Sequence, residues 1–350
     1  MVNRFIQIDW ANKSECEMKV WVSREPGGPE TLVLEQWPTP SPSAEELLVR
    51  IQAVGVNFPD SLLIRDLYQV KPERPLVPGS EFCGVVESIG TGVTRFAPGD
   101  VVIGRCGWGA MSEYLALSQE RCIKIPPDLP TAEAAAFQFA YATAYHALHD
   151  SGKLRAGETL LVLGAAGGVG AAAVEVGRAL GAHVMAGASS AEKLGFAISR
   201  GAIGGLVYDA TPQVGDGQKA LAAELKKLLP SGADVVLDPV GGAYTEPALR
   251  SLARQGRHLV VGFTAGIPRV PLNLALLKRS HIIGVDWRMF IQEESAKNTR
   301  NMQTLLRMWQ DGLLHPHITE RFPFSAASEA IACLESRTAR GKIVVTIDEA

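Results

Sequence analysis

The chain has 350 residues, enough for two domains and a large core, with 47% hydrophobic and 20% charged residues. A net charge of -3 offers little to nucleic acid or an anionic membrane surface, and there is no apolar run of the length a spanning helix needs. With no basic stretch leading into an apolar one near residue 1, the expectation is a cytoplasmic protein. Residues 1–17, MVNRFIQIDWANKSECE, show no clear period and are expected to form an N-terminal extension; a strand pattern begins at Met18. From roughly 45 to 125, short β-branched runs such as ELLVRIQAVGVNF, SEFCGVVESIG and GDVVIG alternate with Gly and Pro, the texture of a partly open β-barrel. TAEAAAFQFAYATAYHALHDSG is helical by period and composition.

Strands and helices then alternate: TLLVLG, GVGAAAVEVGRALGA, HVMAGAS, AEKLGFAISRGA, GLVYDA, GQKALAAELKKLLP, ADVVLDPVGG, RHLVVGF and SHIIGVDW. Such alternation builds a doubly wound parallel sheet with helices on both faces. An amphipathic helix, NTRNMQTLLRMWQDG, and a closing strand, GKIVV, are expected to return to the first domain. The expected organisation is therefore one domain of residues 18–140 and 295–350, with a nucleotide domain of residues 141–294 inserted in it. The five cysteines are scattered, odd in number and lack any CxxC pair, so neither a disulfide framework nor a zinc knuckle is expected.

Within VLGAAGGVGAAAVEV a strand breaks into glycines and resumes as a helix of small residues. That arrangement sets backbone N–H groups at a helix N-terminus, where a pyrophosphate needs no side-chain partner. Gly167 and Gly170 take the second and third glycine places of the dinucleotide fingerprint. Ala165 stands at the first, with Gly164 just before it, and Ala165, Ala166, Gly167, Gly168, Val169 and Gly170 form the candidate phosphate turn. The alternative is a plain tight connection. At the end of the next strand, where an acidic residue would bind the ribose of NAD, stand Ser189 and Ser190, with Lys193 a helical turn beyond. Hydroxyls and a cation suit a 2′-phosphate, so NADPH is the expected cofactor; an ordinary solvated lysine is the alternative.

GVNFPD, VPGSEFCGVVESIGTGVTRFAPGD, ATAYHAL, LGAAGGVG, DVVLDPVGG and GKIVV together resemble the quinone oxidoreductase (ζ-crystallin-like) branch of the medium-chain dehydrogenase/reductase superfamily, over nearly the whole chain from Met18. The resemblance implies a GroES-like catalytic domain, a Rossmann domain, a homodimer through the Rossmann domains, and NADPH-dependent reduction of quinones or other activated C=C bonds. It further implies that Lys193 and Tyr208 lie at the 2′-phosphate end, and that Gly262, Phe263, Thr264, Gly284 and Val285 line the nicotinamide. Thr143 is a candidate contact there and Lys342 a further cofactor residue. In zinc-dependent relatives a Cys stands in place of Asn57 and a His in place of Ser80; an amide and a hydroxyl do not replace such ligands, so no metal is expected. Asp60 and Glu81, which lie behind the metal in those relatives, are read as structural acids. Asn57 is a candidate to bond a substrate carbonyl, or else holds the turn before Pro59. Tyr68 is a candidate proton donor in place of the family tyrosine, where Leu62 stands here. Arg288 is a candidate to steer an anionic substrate group, with a surface salt bridge as its alternative.

The expectation is thus a zinc-independent NADPH-dependent reductase acting on quinones, enones, enals or enoyl thioesters. Its alternatives are a zinc-free alcohol or carbonyl dehydrogenase and a non-catalytic, crystallin-like NADPH binder.

Overall fold

A computed structural model describes residues 17–210, 214–336 and 339–347. The reading of residues 1–16 as an extension lies outside them. The chain divides into two compact units, one running to Phe139 and resuming at Pro316, the other Ala140–His315. No helix among the described residues is long and apolar enough to cross a membrane.

In the first unit β1 (Glu17–Val22) pairs antiparallel with β2 (Val33–Pro38). The long β3 (Glu46–Val56) lies antiparallel to both β4 (Glu81–Ile89) and β6 (Tyr114–Ser118). β5 (Val101–Arg105) and β7 (Cys122–Lys124) extend the same sheet. Its core is apolar, built on Leu47, Val49, Ile51, Phe82, Leu115 and Leu117. Helix α1 (Phe58–Ile64) follows β3 directly, and α2 (Thr131–Ala135) packs on β3 and β4. The segment read as one helix is interrupted: α3 (Gln138–Tyr145) begins only after a break, and a π-helical turn, His146–Ser151, continues it.

The second unit is a six-stranded, wholly parallel sheet. Its strands are β8 (Thr159–Val162), β9 (His183–Ala188), β10 (Gly204–Val207), β11 (Ala233–Asp238), β12 (Leu252–Val260) and β13 (His281–Gly284). Their spatial order is β10-β9-β8-β11-β12-β13, so the winding reverses between β8 and β11. In open parallel sheets ligands bind at that reversal, beyond the carboxyl ends of the strands. The connecting helices are α4 (Gly168–Ala179), α5 (Ala191–Ser199), α6 (Asp216–Leu228), α7 (Thr245–Ser251) and α8 (Asn273–Lys278). After β13 come α9 (Trp287–Glu293) and α10 (Ser295–Gln310).

The unit 140–315 keeps α10, which the sequence pattern assigned to the first domain. Asn298 accepts a hydrogen bond from the Trp287 indole at 3.1 Å, and Asn301 donates to Asp150 at 2.7 Å, so two buried amides fasten the helix to this unit. Amphipathic period says that a helix covers a core; it does not say which core.

The chain then returns as β14 (Ile318–Pro323), α11 (Ala327–Glu335) and β15 (Lys342–Thr346). β15 lies antiparallel to β3, and the Trp21 indole donates to the Phe324 carbonyl at 2.7 Å. The two ends of the described chain thereby close the same unit.

Candidate functional site

Of the residues expected to hold a dinucleotide, the glycine turn, Ser189, Ser190, Lys193, Gly262, Phe263, Thr264, Gly284 and Val285 end or follow strands of the parallel sheet, whereas Lys342 belongs to the first unit. β8 ends at Val162, and Gly164 takes φ +58, a left-handed conformation open to glycine without strain. The Gly167 N–H closes the turn on the Gly164 carbonyl at 2.9 Å, and α4 starts at Gly168. A Cβ on Gly170 would lie 2.1 Å from the Gly164 oxygen, so only glycine lets the helix start this close to the strand end. The first-turn N–H groups, those of Gly168, Val169 and Gly170, have no carbonyl one turn earlier within the helix. The left-handed place in the turn is thus taken by Gly164, one residue before the first fingerprint position; Ala165 and Ala166 are buried beside it.

Ser190 caps α5, its hydroxyl accepting from the Lys193 N–H at 3.2 Å, while the Lys193 ammonium donates to the Ser189 hydroxyl at 3.3 Å. The two hydroxyls and the cation therefore stand together at the end of β9. Tyr208, which the resemblance sets at the 2′-phosphate end, packs against β9 and the glycine turn. Its ring is buried, packing so closely on Gly187 that a Cβ there would come within 2.9 Å, and its hydroxyl oxygen accepts from the Gly164 N–H at 2.9 Å. It supports the glycine turn from below, and burial pushes its phenol above the ordinary range.

On the other side of β8, Gly262, Phe263 and Thr264 follow β12, with the Thr264 hydroxyl donating to the Pro239 carbonyl at 3.4 Å. Gly284 ends β13, and the Val285 N–H donates to the Val260 carbonyl at 2.9 Å. Thr143 is buried on α3, and Arg288 on α9 stands 3.6 Å from Asp286 as an ion pair. Glu175, buried midway along α4, accepts from the Tyr141 hydroxyl at 2.8 Å and from the His315 N–H at 2.7 Å, which fixes the helix that carries the phosphate turn.

The first unit holds a separate polar cluster. The Lys342 ammonium is buried and donates to Asn57 Oδ1 at 2.6 Å, Glu81 Oε1 at 2.8 Å and the Val56 carbonyl at 3.1 Å. The Asn57 amide nitrogen donates in turn to Glu81 Oε1 at 2.9 Å, the Gly55 carbonyl at 3.2 Å and the Ser80 hydroxyl at 3.3 Å. Both ends of the Asn57 side chain are therefore bonded inward, and Lys342 spends its protons in this cluster. Asp60 accepts from the Asn57 N–H at 2.7 Å at the start of α1. Its other oxygen, Oδ1, is buried with no hydrogen-bond partner. Tyr68 is half-buried in the chain that follows α1.

An amide, a hydroxyl and an ammonium do not make a zinc site, and no group of three or more His, Cys, Asp or Glu suited to a metal occurs among the described residues. The cluster is instead a charge balance in which one ammonium serves two buried carboxyls. Burial pushes the Asp60 carboxyl up to about 7, against the pull of the Asn57 N–H and the Lys342 charge.

Two family models match the chain: an alcohol dehydrogenase GroES-like domain over residues 43–127 and a zinc-binding dehydrogenase domain over residues 209–345. The chain is 36% identical to the quinone oxidoreductase-like protein 2 of Rattus norvegicus over 306 residues, covering 87% of this chain and 85% of the relative. Among solved structures it is similar to the quinone oxidoreductase from Thermus thermophilus, determined also as its complex with NADPH. That match has a TM-score of 0.81 and 32% identity over 94% of this chain and 100% of the other. The CurK enoyl reductase matches with a TM-score of 0.82 and 26% identity over 94% of this chain and 99% of the other.

The Asp60 carboxyl makes a prediction with a definite sign. Its folded-state value lies above that of the unfolded chain, so the stability it adds is complete below about pH 4 and is lost as the pH rises through about 7. Denaturant unfolding at about pH 5 and about pH 8 should show the wild type losing stability, by about 3 kcal/mol or less from this group. Asp60→Asn, which keeps an acceptor for the Asn57 N–H, should lose clearly less across the same interval. Equal losses in both proteins would show that Asp60 is ionised throughout.

Proposed function

The chain belongs to the quinone oxidoreductase branch of the medium-chain dehydrogenase/reductase superfamily, and from that premise we propose that it is an NADPH-dependent reductase of quinones or other activated C=C acceptors that works without zinc. Bound NADPH supplies a hydride. The first turn of α4 is the place for its pyrophosphate, since Gly164 and Gly170 clear the approach and the N–H groups of Gly168–Gly170 neutralise charge without a side chain. Ser189, Ser190 and Lys193, which stand together at the end of β9, would hold the 2′-phosphate through charge-assisted bonds. Thr143 and the residues that follow β12 and β13 serve the nicotinamide half.

The observation that carries the choice of acceptor is the Lys342 ammonium bonded to Asn57 and Glu81. Thiolate and imidazole, the ligands of a catalytic zinc, are replaced at residues 57 and 80 by groups already engaged with one another. A simple ketone would become an alkoxide and need a Lewis acid; a quinone or enone delocalises the incoming charge as a phenolate or enolate and needs less. Asn57 and Lys342 act in this reading by keeping the cluster neutral and rigid, and Arg288 and Tyr68 stand as candidates for orienting the acceptor and supplying a proton. Chemistry then rests on positioning and on polarisation of the acceptor carbonyl.

We assign a homodimer formed through the unit 140–315. β13 is an edge strand, and Ile282 on it is exposed together with Ile267, Leu272, Leu276 and Leu277 nearby in the chain. An unpaired edge with exposed aliphatic side chains invites a second edge.

Two measurements bear on the reading. Lys193→Ala should raise the NADPH Michaelis constant about tenfold or more while that for NADH barely moves, since a charge-assisted contact is worth about 1.5–3 kcal/mol. A parallel rise for both cofactors would assign Lys193 to the fold. In an acceptor panel, NADPH should be oxidised by 1,4-benzoquinone, 9,10-phenanthrenequinone or a 2-enone at least about a hundredfold faster than by simple ketones, because one strong oxyanion contact is worth roughly 2.7–4 kcal/mol. An alcohol-dependent reduction of NADP as fast as the best quinone rate would overturn the proposal.

A further inference from the structure

Asp238 ends β11 and is only 2% exposed, yet its carboxylate accepts four hydrogen bonds. Oδ1 accepts from the N–H groups of Val240 at 2.9 Å and Gly241 at 2.8 Å. Oδ2 accepts from the Thr245 hydroxyl at 2.7 Å and is 3.2 Å from Nε2 of His258. His258 is fully buried on β12, and Nε2 is the ring nitrogen that this bond makes the donor, since Nδ1 has no partner. The backbone carbonyl of Asp238 is equally occupied, accepting from Val261 N–H at 2.9 Å and Gly262 N–H at 3.3 Å.

One residue thus bonds both loops that leave the sheet on this side, residues 239–245 with its carboxylate and residues 261–262 with its carbonyl. The loops are also tied to each other, Gly242 N–H to the Gly266 carbonyl at 2.7 Å and Ala265 N–H to the Val240 carbonyl at 2.8 Å. A buried carboxylate is costly unless fully bonded, so a chain that needed only a strand end here would do as well with an apolar residue. What the charge adds is a fixed relative position for two loops, because charge-assisted bonds are shorter and stronger than neutral ones. Burial pushes the carboxyl upward, but the bonds from His258, Gly241 and Thr245 prevail and hold it below the ordinary range.

Strand order says what these loops serve. β9, with Ser189, Ser190 and Lys193 at its end, lies on one side of β8; β11 and β12 lie on the other. A dinucleotide pinned by its pyrophosphate beyond β8 sends its adenosine half toward β9 and its nicotinamide half over β11 and β12. We propose that Asp238 is a positioning residue for the nicotinamide half of the cofactor, holding residues 239–245 and 261–266 as one body so that the reacting ring rests in a single place. The inference rests on the cofactor reading above.

The test separates the two halves of the cofactor. For Asp238→Ala, Asp238→Asn and Thr245→Val we would measure the dissociation constant of 2′,5′-ADP, the NADPH Michaelis constant, kcat with the best acceptor, and the isotope effect with NADPH deuterated at the transferred position. Asp238→Ala should keep 2′,5′-ADP affinity within about twofold while the NADPH Michaelis constant rises about tenfold or more, kcat falls and the isotope effect grows. Asp238→Asn, which retains an acceptor for Val240 and Gly241, and Thr245→Val, which removes one bond of the four, should shift the same quantities less. These two variants carry the test should the alanine variant fail to fold. Unchanged Michaelis constant, kcat and isotope effect would overturn the proposal, as would a parallel loss of 2′,5′-ADP and NADPH binding, which marks a role in the fold alone. A wild-type protein that binds neither compound overturns the cofactor reading and this inference with it.

Discussion

The space that a side chain on residue 170 would need is filled by the carbonyl oxygen of Gly164, 2.1 Å from where a Cβ would stand. The approach of α4 to the end of β8 depends on that exclusion, and much of the second unit is arranged to hold it. Tyr208 lies beneath the turn and accepts the Gly164 N–H, while Ala165 N–H is tied to the Gly187 carbonyl at 3.1 Å. Farther along the helix, Glu175 collects Tyr141 and the backbone of His315. A pyrophosphate site made of backbone must be rigid from the start, because main-chain N–H groups cannot be re-aimed by changing a rotamer; the bonds around the turn supply that rigidity.

The first unit solves a different problem, the burial of charge. Lys342, Glu81 and Asp60 lie within a largely apolar interior, where an unpaired ion would cost several kcal/mol. Asn57 shares both partners of the Lys342–Glu81 pair, its oxygen taking a proton from the ammonium and its nitrogen giving one to the carboxylate. The second carboxyl, Asp60, is left with one bare oxygen and responds by holding its proton more tightly. The amide of Asn57 and the hydroxyl of Ser80 are thereby drawn into a closed network around an ammonium.

Much of the second unit is legible in the sequence because its demands fall on neighbouring residues. The glycine turn, the serines after β9 and the alternation of strand and helix are all local patterns. The cluster in the first unit is not local. Lys342 and Asn57 are 285 residues apart, and nothing in GKIVV says that its lysine turns inward. Tyr208 illustrates the same limit, since nothing beside it in the chain says that its hydroxyl meets the Gly164 N–H, 44 residues away. Asp238 is visible only as part of DVVLDPVGG; that it joins two loops depends on His258 and Thr245, whose contacts no periodicity reveals. The assignment of α10 failed for a related reason, because Asn298 and Asn301, polar residues in an amphipathic pattern, turn out to face the interior.

Everything proposed for this chain depends on a dinucleotide site for a 2′-phosphorylated cofactor at the carboxyl edge of the parallel sheet. Titration of the purified protein with NADPH and with NADH, followed by nicotinamide fluorescence, tests it without assuming any acceptor. Saturation is expected at about one NADPH per chain, with NADH bound about tenfold or more weakly, the share of one charge-assisted contact. Equal affinity for the two, or no saturable binding of either, would contradict it.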